Sequence, residues 1–208
     1  MPLDRESAAR RMERFNEEVL ALSLCPFTEE ELEEAADEWG CNCGPATLAF
    51  ACQLKLDKVR TAIPGFTAKG FTNPTMMKEG LRRLGYRYEA VSPQCFRIQY
   101  LASNPGGALD GFGSFIVPQV AIIRLQWTGR WTERNAHPGW AYRHTHWIAA
   151  WDRHHEVGFP FPWVYDINSG ATPLLNWVSH VVPALLPQQG DGGYYPTHVW
   201  RLAPDGKA

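Results

Sequence analysis

Residues 43–56 read CGPATLAFACQLKL, and the fold turns on how that stretch is read. Pro45 suits only the first turn of a helix, where a missing N–H costs nothing, and the following residues are apolar on nearly every side. A helix with no polar face is buried centrally, so Cys43 to Leu56 is expected to be the element around which the rest packs. Cys43 opens it. There, unpaired backbone N–H groups and the positive end of the helix dipole stabilise a thiolate, as a nucleophilic thiol requires. A small buried residue with no chemistry is the other reading of the same cysteine.

Working outward, residues 5–22 carry Met12, Phe15, Val19 and Leu22 at helical spacing among Arg and Glu, which predicts an amphipathic helix. Thr28 followed by Glu31 is a capping-box pair and predicts a short acidic helix to about Glu38, its glutamates a solvated face. Gly40 to Asn42 is a loop. Downstream, residues 60–74 contain Pro64, Gly65, Gly70 and Pro74 and are expected to be a long loop. Thr75 to Leu84 is a short helix closed by Gly85, and a strand follows at Tyr86 to Val91. A second Gly- and Pro-rich loop covers 103–113. Both loops are expected to flank a groove. Thereafter the pattern is β: Phe115–Leu125, Thr145–Trp151, Trp163–Ile167 and Thr197–Leu202. Helices first and strands after predict an α+β fold, the buried helix packed on an antiparallel sheet.

The 208 residues suit one compact body, and 45% hydrophobic content with nine Trp excludes disorder for the bulk. A net charge of −2 is too balanced to drive phosphate neutralisation, so no nucleic-acid partner is expected. Arg124 and Gln126 interrupt the longest apolar stretch, Phe115 to Trp127, so no membrane span is expected. Met1 to Arg14 lacks the apolar core of a secretory signal, and the five cysteines are an odd number. Together these point to a cytoplasmic protein with free thiols.

Far from Cys43 lie His146, heading the apolar run HWIAA, and Asp166 within WVYDIN. A thiol, a distant imidazole and a carboxylate or amide on a following strand are the parts of a nucleophile, base and orienter system. His144 stands two residues before His146 and would share its strand face, and Asn168 stands two after Asp166 as a reserve orienter. Cys41 and Cys43 with His144 and His146 form a rival set of four zinc-type donors, although one-residue gaps are unlike the usual ligand spacings. His154, His155 and Glu156 read as a solvated turn, and His137, His180 and His198 carry no pattern. Seven tryptophans fall between 127 and 177, namely Trp127, Trp131, Trp140, Trp147, Trp151, Trp163 and Trp177. Most are expected in the core, while those in the loop 128–144 could line a substrate groove.

The run Cys43-Gly44-Pro45-Ala46-Thr47-Leu48-Ala49, the helix end Leu81 to Gly85, His146-Trp147 at a strand start, and Tyr165-Asp166 before Gly170 and a further short helix occur in that order. The combination, spanning about residues 39–178, resembles the papain-like cysteine peptidases, and among them the type that processes bacteriocin precursors after a double glycine. The resemblance implies an N-terminal helical extension over 1–38 and a papain-like domain over 39–208. It implies cleavage of an amide bond in a peptide or protein by Cys43, His146 and Asp166, with no cofactor and no metal. The family generally has a Gln about six residues before the nucleophile to donate to the oxyanion, and Asp37 stands there, with Glu38 next. An ionised carboxylate repels developing negative charge, so Asn42 or the Cys43 backbone N–H would have to serve. A fold impaired in catalysis and kept as a binding module is the alternative this departure raises, beside the zinc-stabilised protein.

Overall fold

The computed structural model describes residues 24–92, 100–101, 120–134, 136–137, 141–151, 162–189 and 193–204. The helix expected over 5–22, the loop at 103–113, the start of the strand expected at Phe115, Cys95, Trp140 and His154 to Glu156 lie outside them. Helix α1 is Glu29–Trp39, and its capping box forms as expected: Thr28 Oγ1 accepts from Glu31 N at 3.1 Å and Glu31 Oε2 accepts from Thr28 N at 2.8 Å. Gly40 ends it in the left-handed region at φ 74°.

Helix α2, Cys43–Cys52, is the buried helix, with every residue from Gly44 to Cys52 inside. It is shorter than its apolar run. Gln53 adopts φ 53° and ψ 47° and closes it, and α3 starts afresh at Leu56–Arg60. The segment 60–74 is less of a loop than its Gly and Pro content suggests. Ala62, Ile63 and Phe66 are core residues, Phe66–Lys69 form a single turn α4, and Pro74 belongs to the next helix, α5, Pro74–Arg83. Asn73 caps α5 through a 3.0 Å bond from Met76 N.

The strands are β1 (Tyr86–Val91), β2 (Tyr100–Leu101), β3 (Val120–Trp127), β4 (Thr145–Trp151), β5 (Trp163–Asp166), β6 (Gly170–Pro173) and β7 (Gly193–Pro204). All pairings are antiparallel, in the order β1-β7-β3-β4-β5-β6, with β2 alongside β7. Between β6 and β7 the chain is helical: α6 (Leu174–Asn176), a π-helical turn (Trp177–Val181) and α7 (Val182–Gln189). The resemblance expects a helix soon after Gly170, but a strand intervenes before it, and Thr197–Leu202 is only the middle of β7.

Alternation along β3 and β4 divides the core in two. Ile122, Trp147, Ala149 and Trp151 pack with α1, α2 and α5, while Ile123, Leu125, Ile148 and Ala150 pack with Leu174, Trp177, Val178 and Val182. The molecule is an α+β protein with helices on both faces of one sheet. Leu24, Phe27, Ala35 and Trp39 share the first cluster, so the expected boundary at 38/39 falls inside α1 and its earlier residues are core. No helix among the described residues is long and apolar enough to cross a membrane.

Candidate active site

Cys43 occupies the first position of α2 because Asn42 caps the helix. Asn42 is extended, its Oδ1 accepts from Gly44 N at 3.2 Å, and its Nδ2 donates to Gly70 O at 3.0 Å. A side chain at position 44 would run into Thr72 Oγ1, Cγ2 and Cβ, so glycine lets the segment 70–72 lie directly against the start of the helix. Thr47 Oγ1, one turn on, donates to Trp147 O at 3.0 Å and ties α2 to β4 beside His146.

His146 is the second residue of β4 and is buried. Its Nε2 lies 2.9 Å from Asp166 Oδ1 at the end of β5. The ring is also near enough to Cys43 for its charge to lower the thiol. With Nε2 taken by the carboxylate, Nδ1 is the ring atom left for the thiol. The structure thus brings together Cys43, His146 and Asp166 from one helix and two strands.

The carboxylate is itself held. Oδ1 accepts from Asn168 N at 2.9 Å and Asn168 Nδ2 at 2.8 Å, and Oδ2 accepts from Trp177 Nε1 at 2.9 Å. Asn168 lies in the turn after β5 and bonds the carboxylate, so it holds the orienter where a reserve orienter would bond the ring. Trp177 is part of the second core and also the first residue of the π-helical turn. Such turns recur at functional sites because they re-aim one side chain without ending the helix.

His144 is placed elsewhere. β4 begins at Thr145, so His144 shares no strand face with His146, and its ring stacks on Trp131 at 3.5 Å and 9°. Its carbonyl accepts from Trp127 N at 3.0 Å and Gln126 Nε2 at 2.9 Å. Gln126 also donates to Ala141 O at 3.1 Å, so a buried amide clamps the segment leading into His146. Asp37 is exposed on α1. Among the described residues no group of three or more His, Cys, Asp or Glu could hold a metal ion.

The electrostatics single out one thiol. Burial by itself would push the Cys43 thiol up, but the charge of His146, the hydrogen bond with its ring and one from the Trp147 backbone N–H outweigh burial and the opposing charge of Asp166. The thiol therefore lies below its ordinary value. Burial disfavours a charged imidazole at His146, yet the charges of Asp166 and Cys43 and the hydrogen bonds to both raise it to about 10. Asp166 is held below the usual carboxylate range, since His146, Asn168 and Trp177 overcome its desolvation. By contrast burial pushes Cys52 up to about 12, and Cys41 likewise with help from the Cys43 charge; Cys25 is also raised, chiefly by burial. The thiol is lowered and the imidazole raised, the two directions that favour passing the proton from Cys43 to His146.

The sequence offered little sign of the roles of Trp177 and Gln126: a tryptophan after a Gly-Pro-rich turn reads as core, and a lone glutamine in an apolar strand reads only as an interruption. Comparison of the chain with family models, with curated proteins and with solved structures finds no match.

Proposed function

We propose that the protein is a cysteine peptidase, or an acyl transferase acting on an amide or isopeptide bond, of the papain-like kind. The observation that carries this reading is the 2.9 Å bond from His146 Nε2 to Asp166 Oδ1, with the same imidazole lowering the thiol of Cys43, across three elements far apart in the chain. Cys43 is the nucleophile: its thiolate attacks the amide carbonyl carbon, the C=O electron pair moves to oxygen, and the Cys43 and Gly44 backbone N–H groups at the helix start are donors of the kind an oxyanion needs. Gly44 N already bonds Asn42, which leaves Cys43 N–H as the donor to bet on. His146 then gives its proton to the leaving amine nitrogen as the C–N bond breaks, leaving a thioester. In hydrolysis His146 next takes a proton from water, whose oxygen attacks the thioester carbon and returns the thiolate. Asp166 fixes the ring and stabilises its charged form. No step calls for a metal or cofactor.

Sub-stoichiometric iodoacetamide, read by peptide mass spectrometry, followed by turnover on a library of peptide amides, tests the reading. Cys43 is expected to be labelled before Cys25, Cys41, Cys52 and Cys95, and Cys43→Ala is expected to abolish amine release. Selective labelling with no turnover on any amide would leave the binding-module reading in its place.

A further inference from the structure

Arg124 interrupts an apolar strand and is nonetheless buried, at 5 % exposure. It sits on β3 opposite Trp147 of β4 and His198 of β7, and Trp147 directly follows His146. A guanidinium has five N–H donors. Among the described residues the Arg124 guanidinium makes a single hydrogen bond, Nη1 to Thr197 Oγ1 at 3.3 Å, and its Nε is sealed from solvent without a partner. No carboxylate among the described residues pairs with it. Its companions are Tyr142, whose ring lies 5.3 Å from the guanidinium carbon, and Tyr195, and both are exposed, Tyr142 at 62 %. Burial lowers the Arg124 value, and the charges that offset it are those of Tyr142, Cys43 and Tyr195. His198 is lowered by burial and by the charges of Arg124 and Lys78, so Arg124 carries the local charge beside a neutral ring.

A buried, nearly unbonded guanidinium beside a nucleophile is costly to keep unless something pairs with it. Arginine's fork matches a carboxylate, two parallel bonds at once. We propose that Arg124, with Thr197 and His198 beside it, forms a subsite for a carboxylate of the substrate, so that the enzyme prefers an acidic group close to the bond it cleaves. The inference deepens the peptidase reading and rests on it for the word substrate. The carboxylate can come from an Asp or Glu side chain or from a chain terminus.

The test uses affinity alkylation, in which the Cys43 thiolate displaces bromide from a bromoacetyl carbon. Three acids are compared with their neutral amides: bromoacetyl-glycine and bromoacetyl-glycylglycine, which present terminal carboxylates at two distances, and bromoacetyl-glutamic acid α-amide, which presents a side-chain carboxylate. Rates are read at Cys43, with Cys25 as the internal control. At least one acid is expected to outrun its amide at Cys43 by about 10- to 100-fold, the worth of a charge-assisted pair, and the winning reagent identifies the source. Arg124→Met is expected to bring that ratio to the Cys25 value, and Arg124→Lys to keep part of it. Should Arg124→Met lose its fold by circular dichroism, Arg124→Gln, which stays polar and removes the charge, takes its place and is expected to bring the ratio to the Cys25 value. Equal rates for every acid and amide, or a preference that survives Arg124→Met, overturns the subsite. Loss of Cys43's advantage over Cys25 towards the neutral amides would instead sink the peptidase reading, and the acid-to-amide ratio at Cys43 would still report on Arg124.

Discussion

His146 is the residue on which the thiolate depends. With the ring removed, burial is the main influence left on Cys43, and burial raises a thiol. His146→Ala is therefore expected to carry Cys43 above the free value of about 8.5 and to remove about tenfold or more of its alkylation rate at pH 7. His144→Ala, which loses a stack on Trp131, is expected to leave most of that rate. Iodoacetamide rates against pH in the two variants check this, and the reverse pattern would move the base to His144. Trp177→Phe removes one donor to Asp166 Oδ2 while keeping most of the ring's volume. It is expected to cost turnover about tenfold, the scale of one hydrogen bond to a charged group, and to leave less of a loss in the alkylation of Cys43 than His146→Ala does. An unchanged turnover would make Trp177 a packing residue only. At this scale the grouping of Cys43, His146 and Asp166 was expected from residue type and chain order, and His146 does lie on Asp166. Arg124 and Gln126 read only as breaks in a hydrophobic run, since nothing in a linear sequence says where a polar side chain finds its partners.

Between α2 and the segment before α5 the fit is tight enough to test by double substitution. Gly44→Ala drives a methyl into Thr72 and is expected to destabilise the protein by about 1–3 kcal/mol, measured by urea unfolding. Thr72→Ser keeps the clash with Oγ1, whereas Thr72→Gly removes all three clashing atoms, so only the second is expected to recover most of the loss in a double-mutant cycle. A purely additive cycle would show that position 44 needs glycine for some other reason. Among the elements, α1 was readable from its capping box and the start of α2 from Cys-Gly-Pro. The end of α2 was not, because Gln53 takes the left-handed conformation without being Gly or Asn, and the core of α3 continues the same apolar pattern. β6 was missed for a related reason: Gly170 and Pro173 bracket it, and both are punctuation in a strand search. His144 was placed on β4 because two-residue spacing looks alike on either side of a strand's first residue.

The charged pair at the site shapes the stability of the entire molecule. Cys43 lies below its free value in the folded state, so its contribution to stability is complete above about pH 8.5 and is lost as pH falls through the lower folded value. His146 is raised to about 10, so its contribution is complete below about pH 6.5 and is lost as pH rises towards that folded value. In Cys43→Ala the loss of stability towards low pH is expected to shrink while the decline above about 6.5 remains, as read from urea midpoints across pH; an unchanged low-pH limb would mean that folding does not lower the thiol. Asp166 adds a separate loss at low pH: its stabilisation is complete above about 3.9 and disappears as pH falls through its lower folded value. β7, the last strand in chain order, lies between β1 and β3, so the middle of the sheet is filled by what the ribosome delivers late. A nascent chain that already carries Cys43, His146 and Asp166 still has β1 unpaired and one long edge of β3 open, which delays assembly of a sheet built on distant pairings. Emergence of the strand that bears Thr197 and His198 would then work as a timer, holding a reactive thiol back from the neighbouring polypeptides of the cell until synthesis has passed them.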